Sequence, residues 1–413
     1  RTPPAPVQPS APSSPRIQHW LRGRAGVRYL AVRNEGGSHF EQPMIDLRAD
    51  GTGSGPLDVS FDLRGRRTTQ SFANGDARQE TFTRVYRGSM TWHDPKAQRL
   101  LTIGRQSSGA IGPVSLFDGA LVQLGGDRWS VGAFGGTQPE PMRMRISGDI
   151  REYGAFAERR QAPLAIRRWS VGVGAVTSYD HAAPDRDFAY LQSYYRDKRV
   201  SGYLSQEVDF NRAWKRSHGE GSVSLTSTFA NARVSLTSWW ELTTGYDNRR
   251  SVRLWRDRET PETQFDDRYR QGTWLGSSWL VAQKLRVAGE VRSSGAGLDQ
   301  ADAWSMSADL QRMGLRGLSL RTRYSQYNSE FSDSRLLSFG AGWDPLPSVH
   351  LGWIAGERSL QQAISTSEAV TRWQEWSVDY TFLRRWYANA SYERDQGDSE
   401  DMSQVYAGLS RRF

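Results

Sequence analysis

The chain has 413 residues, no cysteine, and a formal net charge of +9 from 54 basic and 45 acidic side chains. The missing cysteines exclude a disulfide framework and thiol redox chemistry, and 16 Trp, 16 Tyr and 15 Phe are too much aromatic surface for a disordered chain. Outside a proline-rich head the longest charge-free stretch, Gln271 to Gln283, has 13 residues, short of the ~20 a spanning helix needs; acids and bases are mixed throughout, with no basic block to mark a nucleic-acid face.

Arg1 to Arg16 hold six prolines among Ser, Ala and Gln, a composition that reads as an extended tether and builds no core. Residues 1–23 are therefore set apart as tether and lead-in. No apolar signal-peptide stretch follows the opening Arg-Thr-Pro-Pro, as expected of a sequence that begins after processing. From residue 24 to 413 the pattern alternates apolar and polar with period two. In chain order the expected strands are 24–33, 40–49, 56–68, 80–92, 98–106, 116–125, 127–137, 150–161, 166–178, 187–197, 200–210, 220–230, 232–243, 270–282, 284–294, 303–312, 314–326, 333–343, 348–358, 371–382, 384–395 and 402–413. Leu57, Val59, Phe61 and Leu63 alternate with Asp58, Ser60, Asp62 and Arg64; Leu318, Leu320, Thr322 and Tyr324 alternate with Ser319, Arg321, Arg323 and Ser325.

The connections alternate in kind. Short ones fall at Gly125-Gly126-Asp127, Asn231, Gln283, Met313 and Asp344 to Pro347; longer polar ones fall at 69–79, 107–115, 138–149, 179–186, 211–219, 244–269, 295–302, 359–370 and 396–401. An all-β, antiparallel up-and-down transmembrane barrel of about 22 strands has this arrangement, with turns at one end and loops at the other. Closure removes the edges an open sheet of that size would expose. A face rich in charge suits a water-filled lumen and not a packed interior. Trp92, Trp129, Trp169, Trp274, Trp304, Trp386 and Tyr406 sit near strand ends, where amphipathic rings mark a membrane interface.

On the last strand Val405, Ala407 and Leu409 share a face with Phe413, and Arg411 shares that face near the interface. This strand ending in Phe413 resembles the assembly signal of bacterial outer-membrane β-barrels, and residues 24–413 resemble porin-like members of that class in architecture. The resemblance implies an outer-membrane location, contact with membrane lipids and lipopolysaccharide, and handling by the barrel-assembly machinery. A protein partner engaged through the tether or the loops is a further expectation; nucleic acid is not.

Motifs for chemistry are missing. His19, His39, His93, His181, His218 and His350 form no zinc-ligand spacing, and no Gly-x-Ser-x-Gly elbow is present. The acidic groups around Asp266-Asp267 and Asp395 to Asp401 do not follow a calcium loop. Gly104 to Pro113 is glycine-rich but has no Lys-Ser or Lys-Thr, and reads as a compact loop at a strand end, folded inward or not. No cofactor, metal or catalytic residue is expected.

The expected lumen charges are Asp58, Asp62, Arg64, Arg66, Glu207, Asp209, Glu241, Arg286, Glu290, Arg292, Asp309, Arg321, Arg323, Arg358 and Glu393. Because both signs lie beside one another, many should pair, which favours a channel for ions or small polar solutes with weak selectivity. The alternatives are a structural or assembly barrel that anchors a partner, and a gated transporter with a plug. In the longest connection, 244–269, Arg249, Arg253 and Arg256 face Asp266 and Asp267 in sequence, and Trp255 and Phe265 offer apolar anchors. It either folds against the mouth as a constriction or stands outward as a hairpin.

Overall fold

The computed structural model describes residues 21–52, 55–94, 98–161, 167–258, 271–295, 300–313, 317–364, 367–398 and 401–413. The strands are β1 Leu21–Asn34, β2 His39–Thr52, β3 Leu57–Ser71, β4 Ala77–Asp94, β5 Arg99–Gln106, β6 Phe117–Gly125, β7 Trp129–Thr137, β8 Ile150–Arg160, β9 Arg168–Asp180, β10 Ala183–Arg196 and β11 Val200–Phe210. They continue as β12 Val223–Ser235, β13 Trp240–Arg249, β14 Gly272–Ala282, β15 Leu285–Ser294, β16 Ala301–Met313, β17 Leu318–Ser329, β18 Ser332–Leu346, β19 Val349–Gln362, β20 Glu368–Phe382, β21 Trp386–Gly397 and β22 Met402–Arg412. Each pairs antiparallel with its neighbours in sequence, and β1 pairs with both β2 and β22, closing a 22-stranded barrel. Closure lets the wall satisfy its own backbone groups, which hydrocarbon would not.

Side-chain alternation separates two faces. One face carries apolar residues that lie open on the barrel's outside, such as Val27 at 53%, Ile45 at 55% and Val59 at 49% exposure, with Ile103, Val122, Leu275, Val291 and Phe339. Such a belt in water would forfeit about 25 cal/mol for each Å² of apolar surface; against acyl chains it costs nothing. The other face carries the charges and points into the barrel.

Three expectations need correction. The break expected at Asn231 does not exist: Asn231 lies within β12, in register with Tyr203 and Gly245. The turn lies at 236–239, where Thr237 Oγ1 accepts hydrogen bonds from the backbone N–H groups of Trp239 and Trp240 at 3.3 and 3.0 Å. Apolar Leu236 and Trp239 disguise it as strand. Consequently β13 runs to Arg249, and the long connection starts at 250, not 244. Several outer connections are also tighter than expected: 179–186 shrinks to a turn at 181–182, 69–79 to 72–76 and 359–370 to 363–367. Strands that rise above the lipid are wet on both faces, so polar composition there does not distinguish strand from loop. Finally, Leu21 to Gly23, expected in the lead-in, already belong to β1; residues 1–20 of the expected tether lie outside the described residues.

Candidate functional site

The inner wall divides into sectors of different chemistry. On β1–β4 the inward positions include Arg28, Arg48, Arg64, Arg66, Arg84 and Arg87, which outnumber Asp46, Asp50, Asp58 and Asp62. Asp46 is buried between Arg24 and Arg28, at 3.2 and 2.9 Å. Asp62 holds Arg64 at 3.1 Å, and the Arg64 guanidinium lies 4.5 Å from the centre of the Tyr86 ring. Asp58 bonds His93 at 2.7 Å. Tyr86 is the extra residue of a bulge in β4, opposite the step from Asp62 to Leu63, and the bulge keeps Arg84 and Arg87 on the same side. Asp58, Asp62, Arg64 and Arg66, expected from the sequence to line the lumen, share this face with Arg84 and Arg87, which sequence reading missed because the bulge reverses the alternation midway along β4.

A second polar sector spans β12 to β21. A cavity of about 490 Å³ is lined by Arg233, Glu241, Arg286, Glu290, Asp309, Arg321 and Arg323, so six of the expected lumen charges converge on it. Arg233 pairs with Glu241 at 2.5 Å, and Arg321 pairs with Asp309. An adjoining cavity of about 620 Å³ includes Asp344, His350 and Glu375, with His350 Nδ1 2.7 Å from Asp344 Oδ1. Arg292 stands in register with Trp274 and Ala303, Arg358 with Leu336 and Thr371, and Glu393 with Glu375 and Gln404. No group of three or more potential metal ligands occurs among the described residues. Asp398 and Asp401, from the acidic stretch after β21, accept backbone N–H groups of Val370 and Gly397.

The third sector is apolar. Phe117, Leu121, Phe134, Phe156, Val176, Phe188 and Tyr190 of β6–β10 form a buried cluster with Ile111 and Val114 of the loop between β5 and β6. That loop therefore folds inward: Ile111 is fully buried in its 3-10 turn, Gly109–Ile111, and Tyr190 donates to the Ala110 carbonyl at 2.8 Å. Neighbouring glycines make room for the rings; a Cβ on Gly174 would meet Tyr190 at 2.5 Å, and one on Gly132 would meet Phe156 at the same distance. The signal was available in the sequence, since Trp129 to Thr137 lacks charge on either face, as strands do when both sides are covered.

Two more loops pack at the mouth of this sector. Arg186 bonds Glu207 at 2.8 Å and Asp209 at 2.7 Å, and Lys215 of the one-turn helix Ala213–Arg216 lies 3.6 Å from Asp209. Burial pulls the Lys215 ammonium below the usual lysine range, against the attraction of Asp209. In the connection after β13, Trp255 donates its backbone N–H to buried Asp185 at 2.6 Å and packs edge-on against Trp214, with ring centres 5.3 Å apart. Arg253 is buried, Arg256 is half exposed beside Asp257, and Arg249 bonds Asp247 from the end of β13. Phe265, Asp266 and Asp267 lie outside the described residues.

The seam closes beside the last residue. Phe413 and Gly23 exchange two backbone hydrogen bonds at 3.1 Å, and the Phe413 ring lies where a Gly23 side chain would be.

No protein-family profile and no curated protein matches the chain by sequence. Solved structures match its shape. The P pilus usher PapC translocation pore aligns with a TM-score of 0.57 at 10% identity, over 95% of this chain and 99% of that one. The ferric enterobactin receptor PfeA of Pseudomonas aeruginosa, solved as a mutant, gives 0.58 at 8%, over 95% and 80%, and OccK7 (OpdD) of the same organism gives 0.50 at 10%, over 95% and 98%. The likeness is one of fold: the chain is a β-barrel of the kind that spans bacterial outer membranes.

Proposed function

We propose that this barrel is an outer-membrane channel that passes ions or small polar solutes with weak overall selectivity. The supporting observation is the ionised inner wall of β12–β21 and β1–β4, where both signs of charge are interspersed and some pair, as in Arg233–Glu241 and Arg321–Asp309. The loops at 107–116, 211–222 and 250–258 take up room along β6–β12 and direct the route toward the charged sectors. In this reading the exterior belt meets acyl chains and lipopolysaccharide, and Phe413 serves the assembly machinery.

The same loops favour a second reading, a barrel that anchors a partner protein through its tether or loops and conducts little. Planar-bilayer recording on the purified chain decides between them. Steady ohmic steps with a small reversal potential in a salt gradient support the channel; a folded barrel that stays silent moves the function to the second reading.

A further inference from the structure

The Phe82 ring, on the inner face of β4, gathers three guanidinium groups. Arg66 lies 5.2 Å from its centre, Arg84 5.5 Å, and Arg143 of the loop between β7 and β8 5.9 Å. Arg66 and Arg84 are half-buried, and the Nε of each is buried with no hydrogen-bond partner. Among the described residues the Arg84 guanidinium makes one long hydrogen bond, to the Tyr86 hydroxyl at 3.5 Å. The nearby carboxylates are engaged: Asp62 by Arg64, Glu80 by Arg78, and Glu140 by the backbone N–H groups of Met142 and Arg143. Among the described residues no carboxylate pairs with these three arginines, whereas Arg64, Arg233 and Arg321 each hold one.

Three like charges around one ring repel, and they are assembled from two separate elements, a strand pair and a loop. The loop is fixed where it supplies Arg143, because the Met144 carbonyl accepts from buried Arg105 at 2.5 Å, and Arg105 is itself held by Asp118 at 2.6 Å. Flat guanidinium groups leave their N–H edges free for planar oxyanions, which they bind by paired, charge-assisted hydrogen bonds.

We infer that Arg66, Arg84 and Arg143 around Phe82 form a binding site for a small, multiply charged oxyanion, a carboxylate- or phosphate-bearing solute. The site faces inward, so lipid phosphates do not reach it. The inference rests on the channel reading only for the route by which the solute arrives.

The test is isothermal titration of the full-length, detergent-folded barrel with citrate and, separately, inorganic phosphate at low salt. Saturable binding of at least one is expected, weakened about ten-fold or more by Arg84→Gln, less by Arg84→Lys, which keeps the charge but loses the fork. The triple variant Arg66→Gln, Arg84→Gln, Arg143→Gln should bind neither, while still migrating as a folded barrel on an unheated gel. Flat titrations with both probes overturn the site, as does binding that survives the triple variant. A silent barrel that binds and loses its anion in the triple variant overturns the channel and keeps the site; a conducting barrel with flat titrations does the reverse.

Discussion

Two sectors of one wall, built by the same alternation, solve the interior differently. Along β3 and β4 most inward positions end in a charge or a hydroxyl, with Phe82 among the exceptions. Along β6–β9 the same positions carry Phe117, Leu121, Phe134, Phe156 and Val176, which no lumen would leave bare, and the loop from β5 supplies Ile111 and Val114 to cover them. The difference teaches that a barrel of this width need not import a separate plug domain to fill part of its bore. Apolar inward positions on a few adjacent strands recruit a loop from the same chain.

That comparison is most sharply broken at Ile111. A carboxylate there would be buried without a partner at a cost of several kcal/mol, so Ile111→Asp should eject the loop while leaving the wall intact. Single-channel conductance should rise several-fold, and unchanged current would show that the loop does not restrict the bore. Next in size is the contrast between faces of β3. Val59→Arg places a cation against lipid and should cost ~2–4 kcal/mol in the folding equilibrium measured in vesicles. Asp62→Asn, on the inner face, loses one partly exposed ion pair and should cost ~1 kcal/mol or less. Equal losses would mean that the two faces do not differ in their surroundings.

A smaller effect is expected where the mouth loop docks. Asp185→Ala leaves the Trp255 N–H without its acceptor, a loss of ~1–3 kcal/mol, and a single cysteine placed at Arg256 should then label about ten-fold faster. Smallest is the turn between β10 and β11. Asp197 accepts backbone N–H groups from Arg199 and Val200, which hold its carboxyl below the usual range. A carboxylate depressed in this way stabilises the turn above its ordinary titration range and stops doing so as pH falls through the depressed one. Asp197→Ala should therefore lower the thermal midpoint slightly at neutral pH, with the difference shrinking below about pH 4.

The legible part of the candidate site follows from locality. Asp58, Asp62 and Arg64 alternate with Leu57, Val59 and Leu63 on one uninterrupted strand, so their facing is readable from spacing alone. Arg84 and Arg87 straddle the Tyr86 bulge and share a face despite their odd separation, which no period-two reading assigns. The turn at Thr237 escaped notice because its hydroxyl, not a glycine, caps the chain, while Asn231 drew attention to a position that is plain strand.

By itself, then, the sequence determined the class of fold and its near-complete strand inventory, because alternation, the absence of long apolar helices and the need to close a large sheet are all local or compositional constraints. It also separated a largely apolar from a charged face on β3 and β17. Only the tertiary structure decided which charges meet. Arg143 reaches Phe82 across 61 residues, Trp255 reaches Asp185 across 70 residues, and Tyr190 reaches Ala110 across 80. Such contacts depend on the curvature of the closed wall and on the short β5, β6 and β7, which bring distant loops over the same stretch of interior, and no periodicity along the chain records that geometry.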